Sequence, residues 1–221
     1  MKKTIAAVCC LGFTMLLMTG CSGSGEPFEE KSYTPETAVT EVRLDVQDRE
    51  IAVSLSEDEQ VHIQYFENSK EYYDISVTDE AVLTMTSASS REWTDYIGLK
   101  PSGEYRKIIL QIPDAMLDTL TLATTNETIS LPALTVTGSV SLSCEGGDIS
   151  FGALDVGHAL SLRVKNGDAA GTVIGSCDDF AIQTEIKKGE SNLPADKTGG
   201  EKTLHASGNN GDLHIEFVSQ A

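Results

Sequence analysis

In the C-terminal half of the chain, apolar and polar positions repeat every 20 to 22 residues. Glycine precedes an acidic residue at Gly147-Asp148, Gly167-Asp168, Gly189-Glu190 and Gly211-Asp212, and Glu127-Thr128 holds the same place one repeat earlier. Eight positions before the second residue of each pair stand Leu120, Val140, Leu160, Ile182 and Leu204, and six before it stand Leu122, Leu142, Leu162, Thr184 and Ala206. One position after it come Ile129, Ile149, Ala169, Ser191 and Leu213, and three after it Leu131, Phe151, Gly171, Leu193 and Ile215. The earlier repeats add Leu134, Leu154 and Ile174 at six after. Apolar residues at even separations on both sides of a turn predict two short strands per repeat, each with one face inward. A unit this short cannot bury its own face, so it must stack on its neighbours.

The chain therefore reads as all-β, a single-domain parallel β-solenoid with rungs of 20–22 residues, clearest over 117–217. A left-handed hexapeptide solenoid would place an aliphatic residue every six positions; its absence favours the right-handed form. The N-terminal half joins the same pattern. Val42, Leu44 and Val46, the turn Asp48-Arg49-Glu50, then Ile51, Val53 and Leu55 reproduce the template with Glu50 in the acidic slot. Further strands are expected at 60–66, 72–77, 81–86 and 105–112. Residues 87–103 do not alternate and hold the only tryptophan, Trp93, with Tyr96 and Ile97. They read as an excursion that caps the N-terminal end, or as an exposed aromatic patch in which Trp93 and Tyr96 meet a ligand.

The first 20 residues have a basic start, Lys2-Lys3, and an apolar run too short for a comfortable membrane span, as in a signal peptide. That run ends in Met18-Thr19-Gly20-Cys21, which resembles the bacterial lipobox, so Cys21 is expected to carry lipid and anchor the protein outside the cytoplasmic membrane. Residues 21–37 read as a polar tether and 38–221 as the domain. Loss of residues 1–20 removes two lysines and no acid, taking the net charge from −18 to −20. So acidic a surface repels phosphate, which excludes nucleic acid as a partner. It leaves protein or glycan partners, or contacts bridged by divalent metal.

Asp148, Asp168, Glu190 and Asp212 fall on one edge of the predicted stack, where carboxylates either bridge calcium or serve the turns. No zinc, redox or hydrolase motif occurs in the sequence. Cys144 lies in an inward column and Cys177 in a turn, so their side chains diverge and no disulfide is expected.

The strand pattern at 71–75, the Trp93 to Gly98 segment, the strand ending at Pro113 and the Gly-Asp turns together resemble the bacterial putative-adhesin family of β-strand-repeat proteins over 38–218. The resemblance implies a surface β-solenoid with an adhesive or envelope role and supplies no catalytic residues. The expected function is a non-catalytic, membrane-anchored binding module. An accessory or sensor component of an envelope signalling system is the alternative, and a glycan-cleaving enzyme the third reading.

Overall fold

A computed structural model describes residues 26–89 and 102–219 of the chain. Its strands are β1 (Glu29–Tyr33), β2 (Glu41–Val46), β3 (Glu50–Leu55), β4 (His62–Glu67), β5 (Glu71–Val77), β6 (Val82–Ser89) and β7 (Lys107–Ile112). They continue with β8 (Thr119–Thr124), β9 (Ile129–Leu131), β10 (Leu134–Val136), β11 (Ser139–Cys144), β12 (Ile149–Val156), β13 (Ala159–Asn166) and β14 (Ala169–Ile174). The last are β15 (Phe180–Lys188), β16 (Asp196–Lys197), β17 (Lys202–Asn210) and β18 (Leu213–Val218). Among the described residues there is no α-helix, only short 3-10 turns such as Gly103–Arg106 and Cys177–Asp179.

The strands form two nine-stranded sheets, and most rungs contribute a strand to each. The inward columns follow from alternation. Leu120 pairs with Val140 and Val140 with Leu160, and Leu122, Leu142 and Leu162 lie beside one another in the same way. All six are buried, with at most 1% of their surface exposed. In the facing sheet Ile51, Ile129, Ile149, Ala169 and Leu213 make the corresponding column. Like over like at one strand spacing, about 4.8 Å, makes the core continuous. One column departs from the sequence pattern. Leu154 neighbours Val173 rather than Ile174, because a bulge between Phe151 and Ala153 shifts the register by one.

The order of the rungs also departs from the order of the sequence, and it does so at both ends. One sheet runs β16-β15-β17-β13-β11-β8-β2-β6-β5. The last rung, β17 with β18, is thus inserted between β13 and β15, so that Leu204 lies between Leu160 and Ile182. At the other end β2 lies between β6 and β8, and β3 between β7 and β9. A purely sequential stack would place Ile182 beside Leu160.

The ends are closed by antiparallel strands, where the repeat pattern predicts parallel ones throughout. β5 pairs antiparallel with β6, β4 with β7, β1 with β4, and the two-residue β16 with β15. The segment read as a tether is in part a strand. Glu29 to Tyr33 pair with Glu67 to Ile63, which satisfies the outer edge of β4. Only Tyr33 of that strand packs against the core, so no apolar period marks it in the sequence. At the far end the second strand of the β15 rung is reduced to an isolated bridge, Ser191 to Leu213. Asn192 extends it with its side chain, donating to the Ile215 carbonyl at 2.8 Å and accepting the Ile215 N–H at 2.9 Å.

Candidate functional site

The acidic slots form a ladder, and its bonds run between rungs. Asp148 Oδ1 accepts the backbone N–H of Asp168 at 2.9 Å, and Asp168 Oδ1 accepts that of Asp212 at 2.8 Å. Asp212 Oδ1 then accepts the N–H of Glu190 at 2.8 Å. Each carboxylate thereby serves a turn N–H of the adjacent rung, a donor that would otherwise face only water. The preceding residue must be glycine because the turns stack backbone on backbone. A Cβ at Gly211, where φ is +129°, would fall 2.0 Å from the Gly167 carbonyl oxygen. The ladder order is Asp148, Asp168, Asp212, Glu190, which follows the inserted rung and not the sequence. Among the described residues no group of three or more His, Cys, Asp or Glu side chains is arranged to hold a metal ion.

At the capped end, the turn between β2 and β3 carries a buried charge. Arg49 is 5% exposed and pairs with Glu71 on β5 at 2.8 Å. Its Nε donates to the Tyr73 hydroxyl at 2.6 Å, and Nη1 reaches the Asp48 carbonyl at 3.1 Å. The guanidinium also lies 5.9 Å from the Tyr73 ring centre. Tyr73 meets Tyr65 edge to face at 5.2 Å. The buried Thr124 hydroxyl closes the network by donating to the Arg49 carbonyl at 2.6 Å. Burial pushes the Tyr65 phenol up to about 12, with Glu67 and Tyr73 adding to the effect. Burial raises the Tyr73 phenol too, against the pull of Arg49. This cluster ties the first rung to the antiparallel cap. Its sequence signal is faint: Arg49 sits in a predicted turn, and its partners lie 22 and 24 residues away.

The outer faces of the two sheets are broad and small in side chain. In one, Thr121, Ser141 and Ser161 stand side by side at the centre, flanked by Arg43 and His205. In the other, Ser130, Ser150, Ala170 and His214 form the matching row. A shallow groove of about 360 Å³ crosses the rungs near the bulge, lined by Leu55, Ala133, Ala153 and Ile174 with Asp114 and Asp155 at its lip. A second, of about 540 Å³, lies at the capped end between Glu26, Lys31, Asn68 and Tyr72.

Of the residues singled out in the sequence, the four acids come together as one ladder. Trp93, Tyr96 and Cys21 lie outside the described residues. Cys144 and Cys177 are both free thiols. Cys144 is buried, its Sγ 3.0 Å from the Glu127 carbonyl oxygen, and burial raises its thiol pKa. Among the described residues no helix is long and apolar enough to cross a membrane.

No curated protein matches the chain. Among solved structures, a "putative cell adhesion protein" from Clostridium sporogenes superposes with a TM-score of 0.61 at 11% identity, over 87% of this chain and 100% of that one. At that identity the likeness is one of fold. A "putative adhesin" from Parabacteroides distasonis aligns over 85% of this chain and 97% of its own at 14% identity, with a TM-score of 0.34. Another from Bacteroides fragilis covers 88% and 98% at 10% identity, with a TM-score of 0.32. The model of one family, Toastrack DUF4097, matches residues 39–220, from just before β2 to beyond β18, with β1 alone among the strands outside it. The chain belongs to the Toastrack DUF4097 family.

Proposed function

We propose that the protein is an extracytoplasmic lipoprotein, anchored through Cys21, and that it is a non-catalytic, adhesin-like module presenting a flat β-face to a protein or glycan partner. The observation that carries this reading is the polarity of the stack. The chain enters at β1, the edge strand of the capped end, only eight residues after Cys21. Eight residues reach at most about 28 Å, so a lipid on Cys21 holds the capped end toward the bilayer. The eight strands from β1 to β18 then extend about 34 Å along the stack axis. The rows of Ser, Thr and Ala are thereby held clear of the lipid surface. The Clostridium sporogenes protein that shares the fold is named a "putative cell adhesion protein", in keeping with such a role. The net charge of −20 after processing directs the choice of partner toward neutral glycans or cationic protein surfaces and away from nucleic acid. In this reading the connections between parallel strands are right-handed, as nearly all such crossovers are.

Two measurements test it. Cys21→Ala should move the protein from the membrane to the soluble fraction, and unchanged membrane retention would refute the anchor. The soluble domain from Glu26 onward should bind members of a glycan and protein array. Ser141→Arg, which plants a long side chain at the centre of the flat face, should abolish that binding while leaving the melting temperature intact. Binding that survives Ser141→Arg would refute the assignment of the face.

A further inference from the structure

The rung order leaves the C-terminal segment in an unusual position. β17 is paired along its length on both sides, from Ala159–Thr203 to Asn166–Asn210 with β13 and from Phe180–Lys202 to Lys188–Asn210 with β15. Leu204, Ala206, Leu213 and Ile215 of this segment are buried in the core. It therefore fills a slot between two rungs that follow each other directly in sequence. The chain enters through Thr198-Gly199-Gly200-Glu201, four exposed residues with φ of +91° and +93° at the two glycines. This hinge must cross over the start of β15, because β16 lies on one side of β15 and β17 on the other.

In the sheet of β13 and β15 the walls of the slot match each other as they match the segment between them. Leu160 and Ile182 are both in register with Leu204. Asp168 Oδ1 takes the Asp212 N–H, and Asp212 Oδ1 in turn takes the Glu190 N–H. When the segment is out, β15 can settle on β13 with Ile182 beside Leu160 and the Glu190 N–H at Asp168 Oδ1. The Leu160 column and the ladder keep their class, whereas β14 gives up its pairing with β18 and finds only Ser191 of the β15 rung in place of Leu213, so that side of the slot stays open to a second donor. An identical segment from another molecule would make the same contacts in the slot. Cis and trans insertion then differ only in hinge strain and in effective concentration.

We propose that the slot between β13 and β15 is a strand-acceptor site, and that residues 202–218 are an exchangeable donor which a second copy of this chain can insert in trans, giving a reciprocally swapped dimer. The proposal goes beyond the adhesin-like reading and does not depend on it.

Ser161 and His205 are direct lateral partners across β13 and β17, on the outer face and one strand spacing apart, within disulfide reach. Full-length chains with Cys177→Ser and either Ser161→Cys or His205→Cys would be mixed at high concentration, incubated and oxidised. The expected product is a mixed disulfide between position 161 of one chain and position 205 of the other, read by mass spectrometry at tenfold or more over either homodimer. Deleting Gly199 and Gly200 leaves three residue steps, about 10 Å, to span two strand spacings of roughly the same length. That leaves no slack to round the end of β15, so the shortened chain should become a dimer with the native circular dichroism spectrum. If the mixed disulfide is no commoner than the homodimers, the proposal is overturned. It is equally overturned if the shortened chain folds as a monomer. If the shortened chain does not fold, the mixed-disulfide experiment on the full hinge decides alone.

Discussion

The Arg49–Glu71 pair is where a single change should destabilise the fold most selectively. Arg49 is 5% exposed, and its guanidinium is held by the Glu71 carboxylate at 2.8 Å, the Tyr73 hydroxyl at 2.6 Å and carbonyls of its own turn. Glu71→Ala would keep the cation buried and remove its counter-charge. Breaking one side of a buried pair typically costs about 3–5 kcal/mol, out of a total domain stability of about 5–15 kcal/mol. For a domain of this size that corresponds to a fall in melting temperature of roughly 6–20 °C. Replacing both partners, as Arg49→Met with Glu71→Leu, removes the desolvation penalty along with the attraction, and should recover most of the loss. Urea unfolding of the soluble domain, with wild type, Arg49→Met, Glu71→Leu and the double variant that combines them, gives the coupling directly. A cost below about 1 kcal/mol for Glu71→Ala would refute the claim that this pair ties the cap to the first rung. A double variant no more stable than Glu71→Ala would refute it too.

Three further outcomes follow from other parts of the structure. Thr184 takes a leucine position in an inward column, and its buried hydroxyl has no hydrogen-bond partner, so Thr184→Val should raise stability by about 1 kcal/mol in denaturant melts, and a loss would contradict it. The Tyr65 phenol is pushed up to about 12 from 10.0. Its contribution is therefore fully present below pH 10 and lost as pH rises toward 12, on the order of 2 kcal/mol, and Tyr65→Phe should remove that part of the alkaline slope. Asp168→Ala deprives the Asp212 N–H of its acceptor and should cost about 1 kcal/mol, while Asp168→Asn keeps an acceptor oxygen and should stay within about 0.5 kcal/mol; equal losses in thermal melts would mean that charge, not the hydrogen bond, matters there.

Much of this fold is legible along the chain because stacked rungs force like over like. Leu122, Leu142 and Leu162 repeat in sequence because they touch in space. The same regularity hides the rung order. Leu160, Ile182 and Leu204 are interchangeable aliphatics in one slot, so the local pattern cannot tell a neighbour from a next-but-one. The closing strands are hidden for the opposite reason. β1 touches the core only through Tyr33, and β16 is two residues long, so neither carries an alternation that a sequence could display. The acidic slot is visible in sequence as Gly-Asp. That it serves the N–H of the adjacent rung depends on which rung that is, and so on the hidden order. Arg49 is a charged turn residue until β5 folds over it and brings Glu71 and Tyr73 within hydrogen-bond distance.

The interleaved order is the claim on which the ladder, the capped polarity and the donor slot all rest, and a set of double-mutant cycles measures it most directly. Leu160→Ala, Ile182→Ala and Leu204→Ala would be made singly and in pairs in the soluble domain and unfolded in urea. Leu204 is a lateral neighbour of both others, which lie two spacings apart at about 9.6 Å. Contacting pairs couple by about 0.5–3 kcal/mol, and pairs beyond about 7–10 Å add within about 0.5 kcal/mol. The structure therefore predicts coupling for Leu160 with Leu204 and for Leu204 with Ile182, and additivity for Leu160 with Ile182. Coupling between Leu160 and Ile182, with additivity between Leu160 and Leu204, would restore the sequential stack and contradict the account.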